Sequence, residues 1–270
     1  MPHAPILRFA ALLLFLVTAP LAAHAQPGWN PDSNGDGEVG TRDLLDLLSV
    51  FGGGYAVEAP SDLVDPCAGQ TSLRHHRHSY ALVPIGGQCW FAENLRATAY
   101  ANGDPIPSGL SASDWLSAKS GARAAYGEGD SRVYAGLDDP SENLAAFGWL
   151  YNSWAVADPR GLCPAGWRVP SAECWAELVD ASGGPCSAGT ALQPQSPSDA
   201  AFSPTGFNAL PGGGRNYGGF FGSGGEAGLF WSTDRIDRQV WYFRLEPGNP
   251  AVGGGWTNRG MGASIRCLKG

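Results

Sequence analysis

The chain has 270 residues, with 17 lysines and arginines against 25 aspartates and glutamates and a formal net charge of −8 at pH 7. So acidic a chain repels polyanions, which argues against nucleic acid as a partner. Its 39 glycines and 21 prolines favour turns and short strands over long helices, and its 10 tryptophans, which need burial or a ligand, argue against disorder.

Residues 1–25 read as a signal peptide. Arg8 gives the positive start, Ala11–Val17 opens an apolar core too short to span a bilayer, and Ala23-His24-Ala25 is a small-x-small cleavage site. Processing there leaves Gln26 first. No later apolar run is long enough for a transmembrane segment, and no lipobox cysteine marks the cleavage point. The expected location is secreted or cell surface.

Asp32 to Asp43 has the oxygen spacing of a calcium loop. Asp32, Asn34 and Asp36 take positions one, three and five, Gly37 allows the sharp turn at six, Glu38 offers its backbone carbonyl at seven, and Asp43 closes the loop at twelve. The expected ion is a structural Ca2+ in a unit spanning 26–51. Pro27-Gly28-Trp29-Asn30-Pro31 forbids a helix before the loop, which excludes a helix-loop-helix EF-hand. A helix is predicted after it, over Thr41–Phe51, with Leu44, Leu47, Leu48 and Phe51 on one face and Gly52 to Gly54 as its stop. From Asp32 to Phe51 this unit resembles a single repeat of a type I dockerin. Dockerins pair two repeats and bind cohesins, so the resemblance implies a cohesin-like partner. With one repeat, the apolar helix face must meet the next domain, another chain or an unknown partner.

A linker over 52–61 leads to one larger domain, 62–270, ample for its own core. Ser79 to Asn94 predicts a hairpin turning at Gly86-Gly87. Ser111 caps an expected short helix, and Ser171 caps a firmer one, with Glu173 in its first turn and Gly183 as its stop. GLFWSTD (228–234), VWYFRLEP (240–247) and ASIRCLKG (263–270) predict late strands between glycine-rich turns. The cysteines, at 67, 89, 163, 174, 186 and 267, are an even set in an exported chain. They suggest up to three disulfides, with fifteen complete pairings open.

IGGQCWFAENL (85–95), GWLYNSWAV (148–156), GLCPAGWRVPSAECWAEL (161–178), SPTGFNALPGGGR (203–215), GLFWSTD and SIRCLKG (264–270) stand in one order. In that order they resemble the Fibrobacter succinogenes major paralogous domain, over most of residues 67 to 270. WRVPSAECW and the late Arg-Cys pair also resemble the C-type-lectin-like and formylglycine-generating folds. The resemblance implies an α+β, C-type-lectin-like module of twisted antiparallel strands with a few helices and long loops. It also implies bridges Cys163–Cys267 and Cys67–Cys89. Cys174–Cys186 is then the remaining pair, an addition of this chain.

Chemistry is the least marked layer. There is no Gly-x-Ser-x-Gly elbow, no His-Glu-x-x-His helix and no GNVWEW-like segment of the formylglycine-generating kind. Spacing does not pair Glu93, Glu173 and Asp234 for glycoside hydrolysis. His75, His76 and His78 offer either a metal pair at 76 and 78 or a solvated basic patch. Trp149, Tyr151, Trp154, Trp231, Trp241, Tyr242 and Trp256 offer faces for sugar stacking, although most suit a core. The calcium-lectin segments Glu-Pro-Asn, Gln-Pro-Asp and Trp-Asn-Asp are absent. Trp256 among glycines, with Asn258 and Arg259 as hydrogen-bonding neighbours, is the best exposed ligand-binding candidate. The sequence therefore reads as an exported, calcium-binding, non-catalytic recognition or surface-display protein with an unknown protein or glycan partner. The alternatives are a carbohydrate-binding module of a polysaccharide-degrading system and an enzyme on a formylglycine-generating-like fold.

Overall fold

The computed structural model describes residues 65–129, 136–194 and 203–270, all within the unit Pro60–Gly270. The signal peptide, the linker and the calcium loop with its helix lie outside the described residues. In chain order the strands are β1 (Ser72–His75), β2 (His78–Ile85), β3 (Gln88–Phe91), β4 (Arg123–Ala124), β5 (Leu150–Asn152), β6 (Trp167–Arg168), β7 (Gly212–Arg215), β8 (Phe221–Gly224), β9 (Gly228–Ile236), β10 (Gln239–Leu245), β11 (Gly253–Asn258), β12 (Gly262–Ala263) and β13 (Leu268–Lys269). The helices are α1 (Ala112–Ser117), α2 (Pro140–Phe147), α3 (Ser153–Val156), α4 (Ala172–Ala181) and α5 (Ala188–Leu192). One sheet runs β1-β2-β3-β13-β6; the other runs β11-β10-β9-β7-β12-β5-β4, with β8 on β7. The domain is mixed α+β, with two sheets and five short helices among the described residues. No described helix is long and apolar enough to cross a membrane.

The β2–β3 hairpin turns at Gly86-Gly87, with Ile85 opposite Gln88. Gly86 has φ +56°, and a Cβ there would lie 2.8 Å from the Ala181 Cβ, so the turn needs glycine for its conformation and for its contact with the end of α4. The Ser111 and Ser171 hydroxyls accept from the Asp114 and Cys174 N–H groups, capping α1 and α4 as the sequence predicts. One glycine-rich stretch departs from the expectation of a turn, since residues 253–258 are strand β11, and glycine-rich residues 212–215 also form a strand, β7. At Gly254 a Cβ would sit 2.4 Å from Trp241 Cζ2, so the bare backbone is where the indole lies. The expected strand over 263–270 is split: Ser264 keeps only an isolated parallel bridge to Phe230, and Ile265 to Cys267 lies outside the strands between β12 and β13.

α4 turns Cys174, Trp175, Leu178 and Val179 inward onto β9 and β10. Trp175 stacks on Phe243 with ring centroids 4.6 Å apart, and its Nε1 donates to the Trp231 carbonyl. Trp231 and Tyr151 are fully buried, which assigns these two sugar-stacking candidates to the core. Trp149 is partly buried beneath the Arg123 guanidinium, 3.8 Å from the ring centroid.

Three of the segments that carry the family resemblance, 85–95, 203–215 and 264–270, meet around Arg266, which is 1% exposed. Its Nε donates to Asn94 Oδ1 at 2.6 Å and its Nη2 to the Asn208 carbonyl at 2.8 Å. Its Nη1 donates to the Phe91 and Phe207 carbonyls. Asn94 Nδ2 in turn donates to the Phe147 carbonyl and to Ser264 Oγ. Burial pushes the guanidinium down to about 9. Four oxygens, none from a carboxylate, support the charge by hydrogen bonding.

Cys67 is bridged to Cys89 and Cys163 to Cys267, spanning 22 and 104 positions. The third expected pair is a correction: Cys174 and Cys186 are free thiols, the first buried and the second exposed. Cys174 lies in the first turn of α4, and helical rise carries the chain about 10 Å onward to Ala181. The Gly183 and Gly184 N–H groups then bond to the Asp180 and Val179 carbonyls, closing the helix end, and α5 begins almost at once. Cys174 is held by Ser171 Oγ at 3.1 Å and Arg168 Nη1 at 3.2 Å. Burial raises its pKa, but these hydrogen bonds outweigh that and leave the thiol below its ordinary value.

Candidate ligand-binding surface

Sequence candidates fall into four groups. Asp32, Asn34, Asp36, Glu38 and Asp43 lie outside the described residues, and no group of three potential metal ligands occurs among the described ones. The histidines do not converge. His75 is buried with Nε2 3.1 Å from the Leu162 carbonyl, and burial lowers its pKa. His76 takes the left-handed turn position between β1 and β2, and His78 contacts Glu93 Oε2 at 2.9 Å. The carboxylates also serve locally. Glu93 lies between His78 and Arg96. Asp234 accepts from the Ala172 N–H at the start of α4 and from the Ser232 hydroxyl. Glu173 is exposed on α4.

The fourth group is Trp256, Asn258 and Arg259. β11 is the edge strand of its sheet, pairing Trp256 with Trp241 and Asn258 with Gln239 on β10. Trp256 is 41% exposed, one of a few large apolar side chains left at the surface. The turn after β11 is clamped. The Ser153 N–H donates to the Arg259 carbonyl, Trp115 Nε1 to the Gly260 carbonyl at 2.7 Å, and the Met261 N–H to the Asn258 carbonyl. Asn258 Oδ1 accepts from the Gly260 N–H, which leaves its amide nitrogen as an available donor.

Beside this turn lies a cleft of about 350 Å³ lined by Lys119, Trp154, Arg238, Asn258 and Arg259. Lys119 follows α1, Trp154 lies in α3, and Arg238 sits in the β9–β10 turn next to Gln239, the partner of Asn258. The Arg259 guanidinium carbon stands 4.9 Å from the Trp154 ring centroid. Its Nε is buried with no hydrogen-bond partner. None of the three cations forms an ion pair with a described carboxylate. Sequence reasoning reached Trp256, Asn258 and Arg259 but missed Lys119 and Arg238 and did not connect Trp154 with them. Nothing in the local sequence links these positions; strand pairing and the clamped turn bring them together.

A family model for the Fibrobacter succinogenes major domain matches residues 83–269. The chain therefore belongs to that family. No curated protein and no solved structure matches it.

Proposed function

We propose that this member of the Fibrobacter succinogenes major domain family is an exported, calcium-binding, non-catalytic recognition or surface-display protein that engages its ligand at the end of β11. The observation that carries this reading is an exposed Trp256 on an edge strand whose far end opens on unneutralised cations. Export is supported by the signal-like residues 1–25 and by two disulfides, which persist in oxidising compartments. The absence of catalysis is supported by Glu93 and Asp234 being engaged in local ion-pair and capping contacts. The C-type-lectin-like relationship rests on the WRVPSAECW and Arg-Cys segments.

In this proposal the 32–43 loop holds one structural Ca2+, and the single dockerin-like repeat acts in assembly or anchoring, with a cohesin-like protein as a partner class. Calorimetry on the whole chain is expected to register uptake of one calcium ion, and chelation to expose the 41–51 helix to amide exchange. No uptake removes the calcium site.

A carbohydrate-binding module is the second reading, favoured by the exposed indole of Trp256. The test is retention of the calcium-loaded protein on arrayed glycans and on immobilised extracellular proteins, compared with Trp256→Ala. Retention that falls in the variant is the expected result. Turnover abolished by one polar substitution would move the protein to the enzyme reading.

A further inference from the structure

We propose that the Lys119–Arg238–Arg259 cleft is a subsite for the carboxylate of an acidic sugar, so that the ligand is a uronic-acid-containing polysaccharide. This deepens the recognition reading and rests on it. The chain as a whole carries a net charge of −8, yet this cleft is lined by three cations and no carboxylate. In an acidic protein such a site is a local reversal of field, and low-dielectric walls focus it on an incoming anion. The Arg259 guanidinium lies against the Trp154 ring, which restricts its motion, and its buried Nε has no acceptor. A guanidinium is also the side chain best suited to grip a planar carboxylate.

The neighbouring chemistry selects the carrier of that carboxylate. Trp256 and Asn258 are two residues apart on β11, so they share a face about 7 Å apart. The exposed indole offers a flat apolar surface, the Asn258 amide nitrogen offers a donor, and the cations lie immediately beyond. A uronate ring has an apolar C–H face, hydroxyls and a carboxylate, and so addresses all three. Inorganic phosphate would use only the cations, and an acidic peptide has no ring face for Trp256. The clamped Asn258–Met261 turn holds the donors in place before binding, which lowers the ordering cost.

The experiment titrates the full, calcium-loaded chain with oligogalacturonate, neutral xylo- and cello-oligosaccharides, dextran sulfate, polyglutamate and inorganic phosphate. Oligogalacturonate is expected to bind best and to weaken with added salt. The doubly exposed variant Lys119→Gln/Arg238→Gln leaves the core untouched and is expected to lose roughly tenfold or more in affinity. Trp256→Ala and Arg259→Gln are each expected to lose about tenfold by the same arithmetic, with the fold checked by near-UV circular dichroism. Equal binding of polyglutamate or dextran sulfate, insensitive to Trp256→Ala, overturns the sugar assignment. Binding of neutral oligosaccharides or of a protein ligand alone, lost in Trp256→Ala, overturns this inference and leaves the recognition reading standing. If no glycan or protein ligand depends on the β11 end, both fall.

Discussion

Arg266 and Arg259 are close in sequence and opposite in circumstance. Arg266 is sealed in the interior with its donors spent on Asn94 and three backbone carbonyls. Arg259 lies against Trp154 at a cleft, with a donor left over. The first sits within the segments that carry the family likeness, and its contacts hold those segments together. The second lies in GGGWTNRG, which is not among them. Family membership here speaks for architecture, because its most recognisable residues are occupied in holding loops to one another. In the reading proposed above, ligand choice belongs to the edge strand and the turns beside it.

Substitutions can break or sharpen this division. The largest expected effect is removal of the Cys163–Cys267 bridge, which ties the segment before β6 to Arg266's neighbour. For so long a loop the loss is about 4–5 kcal/mol, read as a fall in the urea midpoint of a Cys163→Ala/Cys267→Ala variant. Arg266→Met is expected to cost ~3–5 kcal/mol, because it strands Asn94 and three carbonyls without a donor. If Arg266→Met instead abolished ligand binding in a protein of unchanged stability, the hub would be part of the site and the division would fail.

A smaller effect is expected on acidification. Asp158 is held down to about 2, chiefly by its hydrogen bond with the Arg160 side chain. A depressed carboxylate contributes stability above its unfolded value near 3.8, and that contribution is lost as pH falls through about 2. Thermal melts between pH 5 and pH 2 are therefore expected to be shallower for Asp158→Asn than for the parent chain. Smallest of all, Arg259→Gln is expected to change stability by no more than about 0.5 kcal/mol while reducing ligand affinity. A large destabilisation would show that Arg259 belongs with the interior.

Much of the architecture was legible because local chemistry and fold agree. Ser171, Glu173 and Gly183 mark α4, and Gly86-Gly87 marks the β2–β3 hairpin. α2 also carried a readable start, since Asp139 Oδ1 accepts from the Ser141 and Glu142 N–H groups and Pro140 opens the helix, but it was missed. β7 and β11 were illegible for a physical reason. Glycine has low strand preference, and in these strands it is required by tertiary neighbours, since an added Cβ would fall within 3 Å of Trp241, Tyr126 or Leu229. The Cys174–Cys186 pairing followed from counting, and the intervening helix overrules it. At the surface, Trp256, Asn258 and Arg259 could be named from one glycine-rich segment. Lys119, Trp154 and Arg238 join them only through tertiary structure, which no spacing rule encodes.

The position of β13 has a consequence for timing. It follows every other described strand in the chain, yet it lies between β3 and β6, and β6 pairs with no other strand. A polypeptide emerging amino end first must therefore hold β3 with an open edge, β6 without a neighbour and Cys163 as a waiting thiol until residues 267–269 appear. The hairpins of β1, β2 and β3 and the Cys67–Cys89 bridge need only early residues, but the five-stranded sheet and the Cys163–Cys267 bridge are completed together, once residues 267–269 have appeared, so oxidation of Cys163 comes late.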